Sequence, residues 1–398
     1  MSIVPVLLGG DLNAYSVALS FFNKYSVLSH AFMRYRCGAT DNSKFIKTHL
    51  CSGLDDSKIA MPELLKFARA HSTDELFLVP CSDSYVSLLE AERDVLSRYY
   101  SMHIPTREHF RILGDKGSFY KVIDKKGIPY PKTEILRFGE NPENKFGSFD
   151  GKVVVKPSSS SEYWKHPFFD MQKVYFPKNK EEAQKAVNDI FLSGYRKEII
   201  LQERIVRATD RVLTTFSDNR GRVSRAVYGE VILEESGKTS QGNHSAIISL
   251  PLDDICFSLV DFLNEIGYKG FANFDVLSTG KEKYVLEVNL RQGRSSDYLR
   301  GADVNIAELL VENKRYGKVN IDFSYKEFYW HYPKHIDVMR YSENEWGKRR
   351  ADLLYEAGKS ISPYRNKEEG TVRKLYVMIH NYRLGKALRQ QYLERREV

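Results

Sequence analysis

A chain of 398 residues, 42% of them hydrophobic, can bury a large core and is long enough for two or three domains. It contains no run of eighteen apolar residues, and its start, MSIVPVLLGGDLNAY, lacks the charged leader and small-residue cleavage site of a secretory signal; the expectation is a cytosolic protein. The net charge of +8 points to an anionic partner but not to nucleic acid: from Thr371 onward seven Lys or Arg stand against two Glu, and the rest of the chain is near balance without a long basic stripe.

Cys37, Cys51, Cys81 and Cys256 show no metal or redox spacing and read as reduced, inert thiols. His331 and His335 lie four apart, but Pro333 between them spoils the helix that a metal pair needs, so both read as structural.

In chain order, Val4 to Leu8 predicts a buried strand, Gly9-Gly10-Asp11 a tight turn, and Asn13 to Phe22 a helix, which together suggest a Rossmann-like α/β unit. Leu76 to Pro80 predicts a second strand, followed by a helix to about Tyr99. Asp11 and Asp83 therefore sit at strand ends, where open sheets bind ligands; helix caps are the equal alternative. A boundary is expected near Gly114, with Asp115 capping a helix from Lys116 to Lys126 that Gly127-Ile128-Pro129 stops.

Val153-Val154-Val155 reads as a short buried strand that delivers Lys156, and a lysine ending an apolar strand needs an anion, because an unpaired buried ammonium would lose its proton. A phosphate is the obvious candidate. Ser158 to Ser161 reads as a polar, flexible loop, Glu181 to Leu192 as a helix, and Glu198 to Gln202 as a strand leading to Glu203. Arg211 opens a further strand through Phe216.

The stretch from Gly270 to Ser296 carries the most chemistry. Phe271 to Leu277 and Tyr284 onward predict two strands joined by a polar turn, and period-two alternation puts Glu287 and Asn289 on one face with Asp275 opposite them. Two carboxylates and an amide oxygen suit Mg²⁺, which is held by few protein oxygens together with water and phosphate. Arg291 and Arg294 follow, and Ser295-Ser296 is expected to open a helix. Two guanidinium groups and a helix start beside a metal make a phosphate site.

These residues, LEVNLRQGRSS with the upstream Asp275, resemble the final motif of the ATP-grasp ligases, and more narrowly the bacterial ligases that add D-aspartate to a peptidoglycan cross-bridge. The likeness covers most of the chain, through LLGGDLNAYSVALSF, KGSFYKVIDKKGIPYPKT, VVVKPSSSSEY, ILQERI, QGNHS and GFANFD. The implied fold is α/β (α+β) ATP-grasp: a Rossmann-like preATP-grasp domain (1–113), a nucleotide-binding and lid subdomain (114–205), an antiparallel-sheet catalytic subdomain (206–325) and a basic helical tail (326–398).

The resemblance implies ATP and Mg²⁺, with Lys116 and Lys156 on the phosphates, Glu203 and Ile205 at the adenine edge, and Arg211 pointing toward the phosphates. Asp275, Glu287 and Asn289 would hold metal, and Ser158 to Ser161 would form the lid. The turn at Gln241 to His244 would lie near the acyl acceptor. Arg291 would neutralise the transferring phosphoryl group, while Arg294, Ser295 and Ser296 would orient a carboxylate.

The implied reaction is ATP-dependent amide formation through an acyl phosphate, joining the β-carboxylate of D-aspartate to the lysine amine of an anionic peptidoglycan precursor. A ligase for another amino acid, a free dipeptide synthase, and an inactive ATP-binding adaptor recruited to the membrane are the alternatives. In the tail, Val372, Leu375, Ile379 and Tyr382 follow helical spacing among basic residues. That pattern predicts a helix packed on the body, with peripheral contact to an anionic membrane as the second reading. If the helix is peripheral, truncation after Gly370 should leave activity intact.

Overall fold

Four parallel strands open the chain in the order β3-β2-β1-β4: β1 (Ile3–Leu8), β2 (Ser29–Met33), β3 (Ile46–Leu50) and β4 (Glu75–Pro80). β1 and β4 are nearly uninterrupted apolar runs because helices cover both faces of a parallel sheet. In the computed structural model, residues 1–149, 152–235, 240, 242–364 and 370–396 are described. Asp11 accepts a hydrogen bond from the Ala14 amide and starts the helix Leu12–Tyr25. That helix packs against a later one, Ile306–Tyr316, whose cap Asn305 accepts from Ser20 Oγ at 2.8 Å.

The second layer is small. Strands β5 (Thr133–Leu136), β6 (Val153–Pro157) and β7 (Ile199–Glu203) form an antiparallel sheet in the order β5-β7-β6. The helix Lys180–Leu192 covers it, with Ala183, Val187 and Ile190 packed on Val155, Ile199 and Leu201. The expected serine loop is partly helical: Ser159 caps a turn at Ser160–Tyr163, and the Tyr195 hydroxyl accepts from the Ser159 amide at 3.1 Å.

The third layer has seven strands. β8 (Thr209–Ser217), β9 (Val223–Glu235), β10 (Asn243–Leu250), β11 (Gly270–Ser278), β12 (Lys283–Asn289), β13 (Tyr329–His331) and β14 (Ser360–Ile361) run in the order β12-β11-β8-β9-β10-β13-β14. The helix Asp254–Glu265 covers one face, burying Phe274, Val276 and Val285; the opposite face, with Val212 and Phe271, meets the N-terminal layer. β13 and β14 come from the segment expected as a separate tail. That segment is thus built into the large sheet.

The C-terminal helix, Thr371–Arg396, packs on the body, but not through the stripe that its spacing suggested. Val372, Leu375, Ile379 and Tyr382 are exposed, and Arg373 is buried. The Arg373 guanidinium donates to the carbonyls of Gly38, Ala39 and Asp41 and lies over the rings of Tyr15 and Tyr364. A planar cation with five donors can satisfy a carbonyl nest that no aliphatic side chain could. Truncation after Gly370 would remove this plug and leave the three carbonyls without that donor.

Candidate active site

The loop after β12 is held to the N-terminal layer by two amides. Asn13 donates to the carbonyls of Cys81 and Gln292, and Gln292 donates to that of Pro80. Gly293 passes so close to Asn273 that a Cβ there would stand 2.8 Å from Asn273 Oδ1. This loop therefore sits in one place, over the ends of β1 and β4.

On the strands below it, Asp275 pairs directly with Glu287, on the face that alternation predicted, and Asn273 pairs with Asn289. A β-bulge leaves Leu286 without a partner between Asp275 and Val276. Two carboxylates directly opposite repel each other. Burial and the neighbouring Glu287 push the Asp275 carboxyl well above the usual range. Burial acts on Glu287 in the same direction, but Lys116, 2.9 Å away, together with Lys173 and Lys156, outweighs it and holds that carboxyl well below the usual range. The pair is thus split into one poorly stabilised carboxylate and one well-stabilised carboxylate.

Asp275 Oδ1 is buried without a hydrogen-bond partner. Among the described residues, no group of three or more His, Cys, Asp or Glu is disposed to hold a metal alone. An orphaned carboxylate oxygen, a second carboxylate opposite it and the nearby Asn289 amide fit Mg²⁺, provided that phosphate oxygens complete its shell.

Asp275, Glu287, Asn289, Arg291, Arg294 and Ser295 line one cleft of about 420 Å³. A neighbouring cleft of about 320 Å³ shares Glu287 and Asn289 and adds Lys116 and the serine turn. The two guanidinium groups diverge: Arg291 Nη2 lies 2.8 Å from Asp83, while Arg294 Nη1 lies 2.9 Å from Glu235 and its guanidinium 5.1 Å over the Tyr332 ring. Asp83 is half-exposed at the rim, and Asp11, besides capping its helix, lies close enough to Arg294 to feel its charge.

Lys156 is buried, donates to Gln202 Oε1 at 2.9 Å and has a pKa lowered to about 7, by burial first and Lys116 second. Glu203 ends β7 exposed, with Ile205 half-buried just beyond; neither lines the two clefts.

Two expected ligands point elsewhere. Arg211 pairs in register with Val276, so it lies on the face opposite Asp275, where Glu230, Asp253 and Tyr228 already hold it. Period-two geometry thus rules out the expected phosphate contact. Ser296 is buried and donates to Asn13 Oδ1 at 3.3 Å, while Ser295 lines the cleft. The expected helix start is a 3₁₀ turn, Ser296–Ala302, so Ser296 faces the protein.

The structure also brings in Lys173 and Asp210, which the sequence did not single out, and seats His244, from the turn expected near the acceptor, at the same cleft. Lys173 reaches the cleft because Tyr175 bridges to Val155, and nothing in the local sequence signals this. Asp210, in register with Leu277, shares the face of Asp275, and burial raises its pKa to about 6. His244 Nε2 stands 4.0 Å from Asp275, with its pKa lowered to about 4 by burial and Lys173; it is neutral at physiological pH. Gln241, expected beside it, lies outside the described residues.

No family model matches the chain. Over 399 aligned residues it is 29% identical to a D-aspartate ligase of Enterococcus faecium (strain Aus0004), covering 95% of this chain and 94% of that relative. Among solved structures it resembles the biotin carboxylase domain of Hydrogenobacter thermophilus 2-oxoglutarate carboxylase, determined with magnesium ADP and bicarbonate (TM-score 0.62, 14% identity, 80% of this chain and 71% of that one). It also resembles an L-amino acid ligase from Bacillus licheniformis (TM-score 0.54, 12% identity, 79% and 74% covered). The structural likenesses show the fold, and the relative matches the chain along nearly its whole length. The chain thus has the fold of the ATP-grasp carboxylate–amine ligases and is similar along nearly its whole length to one ligase that joins an amino acid.

Proposed function

We propose that this ligase joins D-aspartate, through its β-carboxylate, to the lysine amine of a peptidoglycan precursor. The observation that carries the reading is the split pair Asp275 and Glu287, set against Lys116 and flanked by two arginines with separate carboxylate partners. One anion site serves the nucleotide and the other the acid. The D-aspartate ligase that spans nearly the whole chain supports the choice of acid.

ATP, with Mg²⁺ held by Asp275, Glu287 and Asn289, supplies the phosphoryl group and its charge neutralisation. Lys116 and Lys156 offer cations to the phosphates, and Glu203 and Ile205 mark the adenine edge. In this reading Arg291 exchanges Asp83 for the transferring group, and Arg294, with Ser295, orients the acid. The acid's carboxylate oxygen attacks the γ-phosphorus as ADP leaves. The lysine nitrogen then attacks the acyl carbon, phosphate departs, and the amine gives up a proton. Phosphoryl transfer asks the protein for position and charge more than covalent chemistry, and the cleft offers both. The first 113 residues then carry the acceptor side, 114–205 the nucleotide, and 206–325 the metal and acid. Among the described residues no helix is long and apolar enough to cross a membrane.

The test is ATP-dependent product formation from a panel of D- and L-amino acids with a lysine-containing, nucleotide-linked muropeptide, read by mass. The expected product is heavier by one aspartyl residue and forms with D-aspartate alone. A product from another amino acid reassigns the acid, and ATP turnover without the muropeptide points to a free dipeptide synthase.

A further inference from the structure

The C-terminal helix has two faces. Arg373, Val377, His380, Leu384 and Leu388 turn toward the body: His380 meets the Tyr332 hydroxyl at 2.7 Å, Leu388 is 3% exposed, and Arg373 fills its carbonyl nest. The opposite face carries Val372, Leu375, Met378, Ile379 and Tyr382, each between 44% and 72% exposed. At 100° per residue these five lie within one stripe, about 15 Å long, that Lys386 and Arg389 continue and Lys374 and Arg383 flank. Five large apolar side chains in a row are more than the scattered surface hydrophobics of an ordinary soluble face.

We infer that this face lies on an anionic lipid surface, with the apolar stripe in the headgroup boundary and the four basic side chains on lipid phosphates. The inference does not depend on the identity of the ligase substrates. Charge selects the occupant. A second copy docking through the same face would set Lys374, Arg383, Lys386 and Arg389 against their own counterparts, whereas an anionic bilayer matches both the charge and the apolar stripe. Because the inner face is fixed, the outer face is presented without any rearrangement of the helix.

The experiment is co-sedimentation of the full chain with phosphatidylcholine vesicles and with vesicles that also contain phosphatidylglycerol, at low and physiological salt, together with ultracentrifugation without lipid. Binding is expected only to the anionic vesicles, weakening by at least about tenfold as salt screens the charges. Two exposed-face variants, Leu375→Gln with Ile379→Gln and Lys386→Glu with Arg389→Glu, should each lose that binding and keep wild-type ATP-dependent phosphate release. Absence of binding, equal binding to neutral vesicles, or unaltered binding by both variants overturns the inference. So does a dimer in solution that either variant dissociates, which would assign the face to a second copy.

Discussion

Asp275 and Glu287 stand directly opposite each other across the β11–β12 ladder, yet only Glu287 is matched by a lysine, at 2.9 Å. Their carboxyls are displaced in opposite directions, and the two removals should differ accordingly. A carboxyl whose pKa is raised on folding stabilises the protein when protonated; that contribution is complete below the ordinary carboxyl range and is lost as pH rises through the raised value. Asp275→Asn should therefore stabilise the nucleotide-free protein by about 1 kcal/mol near pH 8 and not at pH 4. Glu287, lowered on folding, contributes above the ordinary range and loses that contribution as pH falls. Glu287→Gln should destabilise at pH 8 by a similar amount. Urea unfolding at both pH values checks the signs, and both variants should lose Mg²⁺-dependent phosphate release.

Lys156 supplies a pH dependence for nucleotide binding. With a pKa lowered to about 7, it is largely neutral at pH 8, and a phosphate would draw a proton onto it. ATP affinity should fall as pH rises from 7 to 9, by up to about tenfold per unit, with proton uptake measurable by calorimetry in buffers of different ionisation enthalpy. Lys156→Arg should flatten the profile, because a guanidinium stays charged.

Arg294 is separated from Arg291 by its partners, Glu235 and the Tyr332 ring. Arg294→Lys keeps the charge but loses both the fork and the stacking surface. Loss of a charge-assisted pair costs about 2 kcal/mol, or roughly thirtyfold, which should show as a raised KM for the amino acid with little change for ATP. A raised KM for ATP alone would make Arg294 a phosphate ligand and move the acid site toward Asp11 and Asp83.

What the sequence disclosed followed from periodicity. Alternation placed Asp275, Glu287 and Asn289 together, and the apolar run before Lys156 delivered it to a buried end. Arg211, which the resemblance had aimed at the phosphates, lies on the other face because the register of β8 against β11 is set by long-range pairing, which local sequence does not encode. Ser296 turned inward because the expected helix start is a 3₁₀ turn anchored to Asn13, 283 positions away. Lys173, Glu235 and Tyr332 come from three distant segments and became visible only when the layers stacked. In the C-terminal helix the apolar stripe promised the packed face, yet a single arginine that satisfies three carbonyls outweighed it.

Arg373→Met should therefore destabilise more than any change on the outer stripe. The carbonyls of residues 38, 39 and 41 would be left buried without a donor, at a cost of about 3 kcal/mol or more. Lys374→Ala, one residue on and exposed, should cost less than about 0.5 kcal/mol. Urea midpoints of the two variants separate the outcomes, and equal midpoints would remove Arg373 from this role.

The bond from Arg373 to Gly38 spans 335 positions, which orders events during protein synthesis. The loop after β2 leaves the ribosome long before Arg373 does, and its carbonyls wait for that donor. Until then the nascent chain carries an unfinished N-terminal sheet, exposed to proteases and to chaperones that read incomplete packing. A message cut short of codon 373 would thus yield a product marked for disposal, not a shorter working ligase.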